Sequence, residues 1–250
     1  MKIKLLLIPL AALLCLASCK SPDTEKSIPC NEQKNALLST TEDFGEEYLN
    51  SLIFFGESTT YHLKSRGVLK GGVNTTQVWA PKNGTANLDF STKELRIFHP
   101  ETKNELTLAE ACAISKPKYL VITFGLNGAV QKIKKGKEVF KTTYKALTDS
   151  VKQASKDTKI ILQSAFPIAK NMDMSNYTVD ADTLNRYIDT INSWTFELAC
   201  QEGFGYLNTA EILKDANGCL NAEYQCGDGH HLTTEAYRKI LEYIRTHGYK

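Results

Sequence analysis

The chain has 250 residues, 42% of them hydrophobic, and a formal net charge of +2 from 30 basic and 28 acidic side chains. This balance excludes a disordered polyelectrolyte and a strongly basic nucleic-acid binder, and the length allows one domain with a sizeable core. The one local concentration of positive charge (Lys132, Lys134, Lys135 and Lys137) reads as a solvated loop face, so no nucleic-acid partner is expected.

At the start, Lys2 and Lys4 precede a run from Leu5 to Leu16 that is almost wholly apolar but short for a bilayer span. That pattern fits a signal peptide over residues 1–18. The run ends in Leu16-Ala17-Ser18-Cys19, which resembles a bacterial lipobox. The resemblance implies cleavage before Cys19, lipidation of that cysteine, and an exported protein anchored to a cell membrane. Residues 19–46 are polar, contain Pro22 and Pro29, and read as a tether. Residues 47–250 are expected to form the folded domain. No later stretch is long and apolar enough for a spanning helix.

Within that domain, strand-like and helix-like segments alternate. Leu52-Ile53-Phe54-Phe55 is a short buried-strand candidate stopping at Gly56, and Ser58 opens a plausible helix. Residues 67–107 are rich in Gly, Asn and Thr, which predicts a short second strand and a long excursion over the sheet edge. Tyr119 to Phe124 is the clearest strand, followed by Ile160-Ile161-Leu162 and Tyr206-Leu207. Helical stripes recur at Phe140, Tyr144, Leu147 and Val151, at Leu184, Ile188, Ile191 and Leu198, and at Ala236, Ile240, Leu241 and Ile244. Continuous apolar strands alternating with amphipathic helices predict an α/β protein, a three-layer α/β/α sandwich with a mainly parallel sheet.

Ligands of such sheets gather at the carboxyl ends of the strands. Two polar turns fall there: Gly56-Glu57-Ser58 and Gly125-Leu126-Asn127-Gly128. Each has an ordinary structural explanation, since serine caps helices and Asn-Gly forms turns. Near the end, Asp228-Gly229-His230-His231-Leu232-Thr233 precedes the last helix. A turn explains Asp228-Gly229 and a cap explains Thr233, but neither requires His231. A serine hydroxyl becomes nucleophilic when an imidazole takes its proton and a carboxylate fixes the imidazole. Ser58, His231 and Asp228 are therefore the candidate catalytic set, with His230 a bystander. The GxSxG elbow is absent because Thr60 stands at its last position.

Taken together, these blocks resemble the SGNH hydrolases, or GDSL-type esterases and lipases, over roughly Leu52 to His247. The family has a serine turn, a glycine, an asparagine turn and a terminal DxxH, in that order. The resemblance implies a flavodoxin-like fold and a serine esterase working through an acyl-enzyme. It implies an oxyanion hole from Ser58, Gly72 (with Gly71 the alternative) and Asn127. Glu57 stands where the family has aspartate before the serine, and Gly128 where it has aspartate after the asparagine.

No metal or organic cofactor is expected, because the histidines lack HxxxH spacing and the cysteines lack paired CxxC spacing. Cys30, Cys112, Cys200, Cys219 and Cys226 remain in the mature chain. A Cys219–Cys226 disulfide would stiffen the Asp228 turn; the alternative is that several are simply buried small apolar residues, and spacing alone does not decide between them. Short-chain or carbohydrate esters, small or glycan-borne, are the favoured substrates; Trp79, Phe90 and Tyr61 are expected chiefly as core residues, with lining a cleft as the alternative. The alternatives are a lysophospholipase or a non-catalytic binding lipoprotein on the same fold. Activity is expected to rise through roughly pH 6 to 7 as the base becomes neutral.

Overall fold

The computed structural model describes residues 36–89 and 93–249. The signal peptide, Cys19, Cys30 and Phe90 lie outside the described residues.

Five strands form one parallel sheet: β1 (Leu52–Gly56), β2 (Val78–Trp79), β5 (Tyr119–Thr123), β6 (Lys159–Gln163) and β7 (Gly205–Leu207). Their order is β2-β1-β5-β6-β7. β3 (Arg96–Phe98) and β4 (Glu105–Thr107) make a separate antiparallel pair, with Arg96 opposite Thr107. This pair is the excursion expected between residues 67 and 107. Around the sheet run α1 (Gly45–Asn50), α2 (Ser58–Ser65), α3 (Leu108–Ser115), α4 (Ala129–Lys135), α5 (Lys137–Ala154), α6 (Ala181–Glu202) and α7 (Thr234–Arg245). None of these helices is long and apolar enough to cross a membrane.

The layering follows from strand alternation, because successive side chains leave opposite faces. Phe55, Leu120, Ile122, Ile160 and Leu162 join the core built with α3, α5 and α6. Leu52, Phe54, Val121 and Ile161 join the second core, built with α1, α2 and α7. All four residues of the predicted α5 stripe are buried, as are those chosen for α6 and α7. The α/β/α sandwich with a parallel sheet is the observed architecture.

The described residues at the end of the expected tether are joined to the domain. Leu37 bridges Tyr206 in parallel, Ala36 is buried, and Thr41 N–H donates to Thr246 O at 2.6 Å. Backbone N–H groups of Leu38, Thr41 and Phe44 thus find acceptors on the domain.

In sheet order the chain moves from β1 to β2 on one side and later to β5 on the other. The crevice outside the carboxyl ends of β1 and β5 is therefore the topological switch point, where open α/β sheets hold their ligands. Gly56 allows the two strands to end close together there. A Cβ at Gly56 would stand 2.4 Å from Thr123 O, so no other residue fits without moving backbone.

Ile122 lies fully buried in the middle of the sheet, whereas Val73 is 59% exposed. Ile122→Ala is expected to cost about 2–5 kcal/mol of stability, and Val73→Ala less than about 0.5 kcal/mol, in equilibrium urea unfolding. Equal losses at the two positions would contradict this placement of the core.

Candidate active site

Ser58 is the first residue of α2, with Glu57 rather than Ser58 at the N-cap. The hydroxyl is thus free of a capping bond and lies 3.0 Å from His231 Nε2. At the first position of a helix, the Ser58 N–H has no intrahelical acceptor.

The base comes from the other end of the chain. His231 Nδ1 lies 2.7 Å from Asp228 Oδ2, and Asp228 Oδ1 accepts the N–H groups of His231 (2.9 Å) and His230 (3.0 Å). The carboxylate thus folds its own turn while orienting the ring. Partial burial pulls the Asp228 carboxyl upward, but the two N–H donors and the His231 ring overcome it and hold the group well below the usual carboxylate range. The turn is anchored on both sides. Ala169 N–H donates to Gly229 O at 2.7 Å, and Cys226 N–H donates to His231 O at 3.0 Å. Thr233 caps α7 through Ala236 N–H, and the buried Tyr237 hydroxyl donates to Thr59 O at 2.5 Å, tying α7 to the first turn of α2.

The third turn is held by a buried carboxylate. Glu57 accepts N–H bonds from Gly125, Leu126 and Asn127, each at 3.1 Å. Burial pushes the Glu57 carboxyl above the usual carboxylate range, and the Lys132 ammonium and the three donors offset this only in part. Lys132 is 3% exposed; its ammonium donates to Asn127 O and stands 3.7 Å from Asp89. The expected solvated lysine face is therefore wrong at Lys132, which lies on the inner side of a helix, α4, rather than on a loop. Gly128 has φ +69°, so the Asn-Gly turn and a site role for Asn127 coexist. The Asn127 amide donates to Thr85 Oγ1 at 3.1 Å.

Ser58, His231, Asp228 and Asn127 are thus gathered at one strand-end crevice. Gly72 is not. It follows the far end of α2, its N–H is used by Leu69 O at 2.9 Å, and it precedes β2. In a parallel sheet that position belongs to the opposite edge, which also removes the neighbouring Gly71. The segment reaching the site from β2 is Gly84-Thr85, after the strand; the signal for it was the rule that sites follow strands rather than precede them.

Two readings left open by the sequence are resolved among the described residues. Cys219 and Cys226 form no disulfide: Cys219 is buried against Asn185, while Cys226 is exposed. Trp79 is 1% exposed and belongs to the core, the role the sequence favoured for it. The ring of His62, from α2, lies against that of His231, with centroids 4.2 Å apart and the planes tilted by 31°. Among the described residues, the one group close enough to share a cation is Asp228, His230 and His231, and its carboxylate is already engaged by both N–H groups and the His231 ring.

Glu57→Gln would leave one acceptor oxygen for three donors and turn an amide NH2 toward them. A loss of about 1–3 kcal/mol is expected in chemical unfolding; a variant as stable as the parent would mean that Glu57 is held neutral. For Asp228, the folded carboxyl sits below its unfolded value of about 3.9. Its contribution to stability is therefore present above that pH and is lost as pH falls toward the folded value. The Tm deficit of Asp228→Asn should be largest near neutrality and shrink below about pH 4; a deficit independent of pH would refute this linkage.

A family model for the GDSL-like Lipase/Acylhydrolase family matches residues 54–239, which include every side chain of the site described above. No curated protein matches the chain. Among solved structures, a candidate SGNH hydrolase from Slackia heliotrinireducens shares 15% identity over 79% of this chain and 98% of its own, with a TM-score of 0.50. A GDSL-like lipase from Bacteroides thetaiotaomicron shares 22% identity over 52% of this chain, with a TM-score of 0.42, and this chain covers 61% of its length. A catalytic mutant of an acetylxylan esterase from Geobacillus stearothermophilus shares 19% identity over 56% of this chain and 64% of its own, with a TM-score of 0.41. The fold, the strand-end crevice and a family match spanning most of the domain lead to one assignment: the chain belongs to the GDSL-like lipase/acylhydrolase family.

Proposed function

We propose that the protein is a serine esterase, and that Ser58 carries the acyl group through the reaction. The observation that supports this most directly is the continuous chain Ser58 Oγ–His231 Nε2–His231 Nδ1–Asp228 Oδ2, with links of 3.0 and 2.7 Å. With the Nδ1 proton donated to the carboxylate, Nε2 carries the lone pair and accepts from the hydroxyl.

Ser58 Oγ attacks the ester carbonyl carbon as its proton passes to His231 Nε2. The carbonyl π-bond opens into an oxyanion. When that collapses, the C–O bond to the leaving alcohol breaks and the alcohol takes the proton from Nε2. Water then repeats the sequence on the acyl-enzyme, giving the carboxylic acid and free Ser58. Asp228 stays ionised and stabilises the imidazolium formed in both halves. The Ser58 N–H and the second hydrogen of the Asn127 amide are the donors offered to the oxyanion; such donors are each worth about 3–4 kcal/mol in the transition state.

For substrate, we favour short-chain or carbohydrate O-acyl esters. The rim is polar, with Asp228 43% exposed, His230 beside it, and Thr85 and Asn127 facing across the crevice. We also propose that the protein is exported and held at a cell membrane through lipidated Cys19, on the strength of the lipobox resemblance.

Ser58→Ala is expected to lower kcat on p-nitrophenyl acetate by at least about 10³-fold and to abolish labelling by a fluorophosphonate probe. Labelling that survives the substitution would remove Ser58 from the mechanism. Across acetyl, butyryl and octanoyl esters, kcat/KM should fall with chain length. A rise toward octanoyl would favour a lysophospholipase instead.

A further inference from the structure

His62 lies one helical turn beyond Ser58 on α2, on the face that carries the nucleophile. Its ring is 4.2 Å from that of His231 between centroids, with 31° between the planes. His230 flanks the same ring at 4.0 Å. The catalytic imidazole therefore touches aromatic neighbours from two separate elements, and only His62 comes from the rigid helix that also fixes Ser58. Resting on the reading of Ser58 and His231 as nucleophile and base, we propose that His62 is a positioning residue: its uncharged ring forms the wall that keeps His231 Nε2 on the serine hydroxyl.

Two independent features support an uncharged wall. The buried His62 Nδ1 has no hydrogen-bond partner, so a proton placed there would be a desolvated donor without an acceptor. Burial, then the neighbouring His231, lower the His62 imidazole to about 4. Arg66, from the next turn of α2, and His230 act in the same sense, while Asp228 opposes them. Near neutral pH the wall is thus a polarisable ring rather than a second cation. When Ser58 gives up its proton, the imidazolium forms against a neutral π-face, which tolerates it. A charged side chain at the same place would oppose that step.

A neutral wall acts on ring orientation, not on substrate binding, and this separates it from a role in folding or specificity. His62→Ala opens a void beside His231 and frees the ring to turn away. His62→Phe keeps a flat, uncharged ring and removes the nitrogens. On p-nitrophenyl acetate, His62→Ala is expected to lower kcat by about tenfold or more, with KM within about threefold. His62→Phe is expected to recover kcat to within about threefold of the parent.

A second readout needs no turnover: the low-field proton resonance of the His231 N–H donated to Asp228. It should be seen in the parent and His62→Phe, and broaden into exchange in His62→Ala. The proposal is overturned if His62→Ala turns over like the parent, if His62→Phe is as slow as His62→Ala, or if the resonance is absent from the parent or unchanged in His62→Ala. If neither His62→Phe nor His62→Ala retains the folded circular dichroism spectrum, the ring nitrogens serve folding and the positioning role is rejected. Ser58→Ala, measured alongside, keeps the two readings apart. Turnover that survives in Ser58→Ala removes the nucleophile assignment, while a resonance that still depends on residue 62 leaves the wall in place.

Discussion

The buried carboxylate of Glu57 holds the crevice together. Parallel strands end with backbone groups that the sheet no longer satisfies, and two such ends meet where β1 and β5 diverge from the switch point. Glu57 answers three of these N–H groups at once, on Gly125, Leu126 and Asn127. It does so from the residue that immediately precedes Ser58. One side chain therefore fixes the register between the start of α2 and the β5–α4 turn, and with it the distance between Ser58 and Asn127. Buried donors left without acceptors are costly, which makes the clasp specific as well as stabilising.

The third component, His231, comes from 173 positions away, and its placement relies on a different device. Its turn is closed by its own aspartate, docked through Gly229 O on the segment after β6, and fixed by the last helix. That helix packs its apolar face on the sheet opposite α5 and α6. The hydroxyl of Tyr237 joins it to α2 inside the second core. Core packing thus sets the approach of the two helices, and the polar contacts refine it to hydrogen-bonding distance. The rim is exposed at Asp228, while the supports beneath it, Glu57, Lys132 and Tyr237, are buried.

Much of this was legible in the amino-acid sequence because it depends on local chemistry. Runs such as Leu52–Phe55 and Tyr119–Phe124 are apolar at consecutive positions, and that alone argues for strands covered on both faces. The Asp228-to-His231 spacing is short enough for one turn to enforce, so the pair could be read without tertiary knowledge. Gly72 was misplaced because a diglycine is conspicuous in sequence, while β2 has two residues and no pattern from which its carboxyl end can be read. Lys132 was misread for a related reason. A lysine among lysines suggests solvent, and the groups that draw it inward, Asn127 O, the Asp89 carboxylate and the nearby buried Glu57, are brought together only by the fold. His62 had no visible partner because its neighbour is supplied by the far end of the chain.

The two departures from the family pattern, Glu57 and Gly128, are best understood as one arrangement. The longer glutamate arm reaches over the turn to collect all three N–H groups, burying its carboxylate there. Lys132 compensates that charge, and it reaches the site by passing beside residue 128, where a Cβ would stand 3.3 Å from its ammonium nitrogen. Glycine leaves that passage open and also supplies the positive φ that starts α4. An aspartate at 128 would add a second carboxylate in the left-handed region and compete with Asn127 O and Asp89 for the same lysine. Glutamate, glycine and lysine at 57, 128 and 132 therefore form a mutually dependent set, and changing one alone would leave a buried charge or a buried donor without its counterpart.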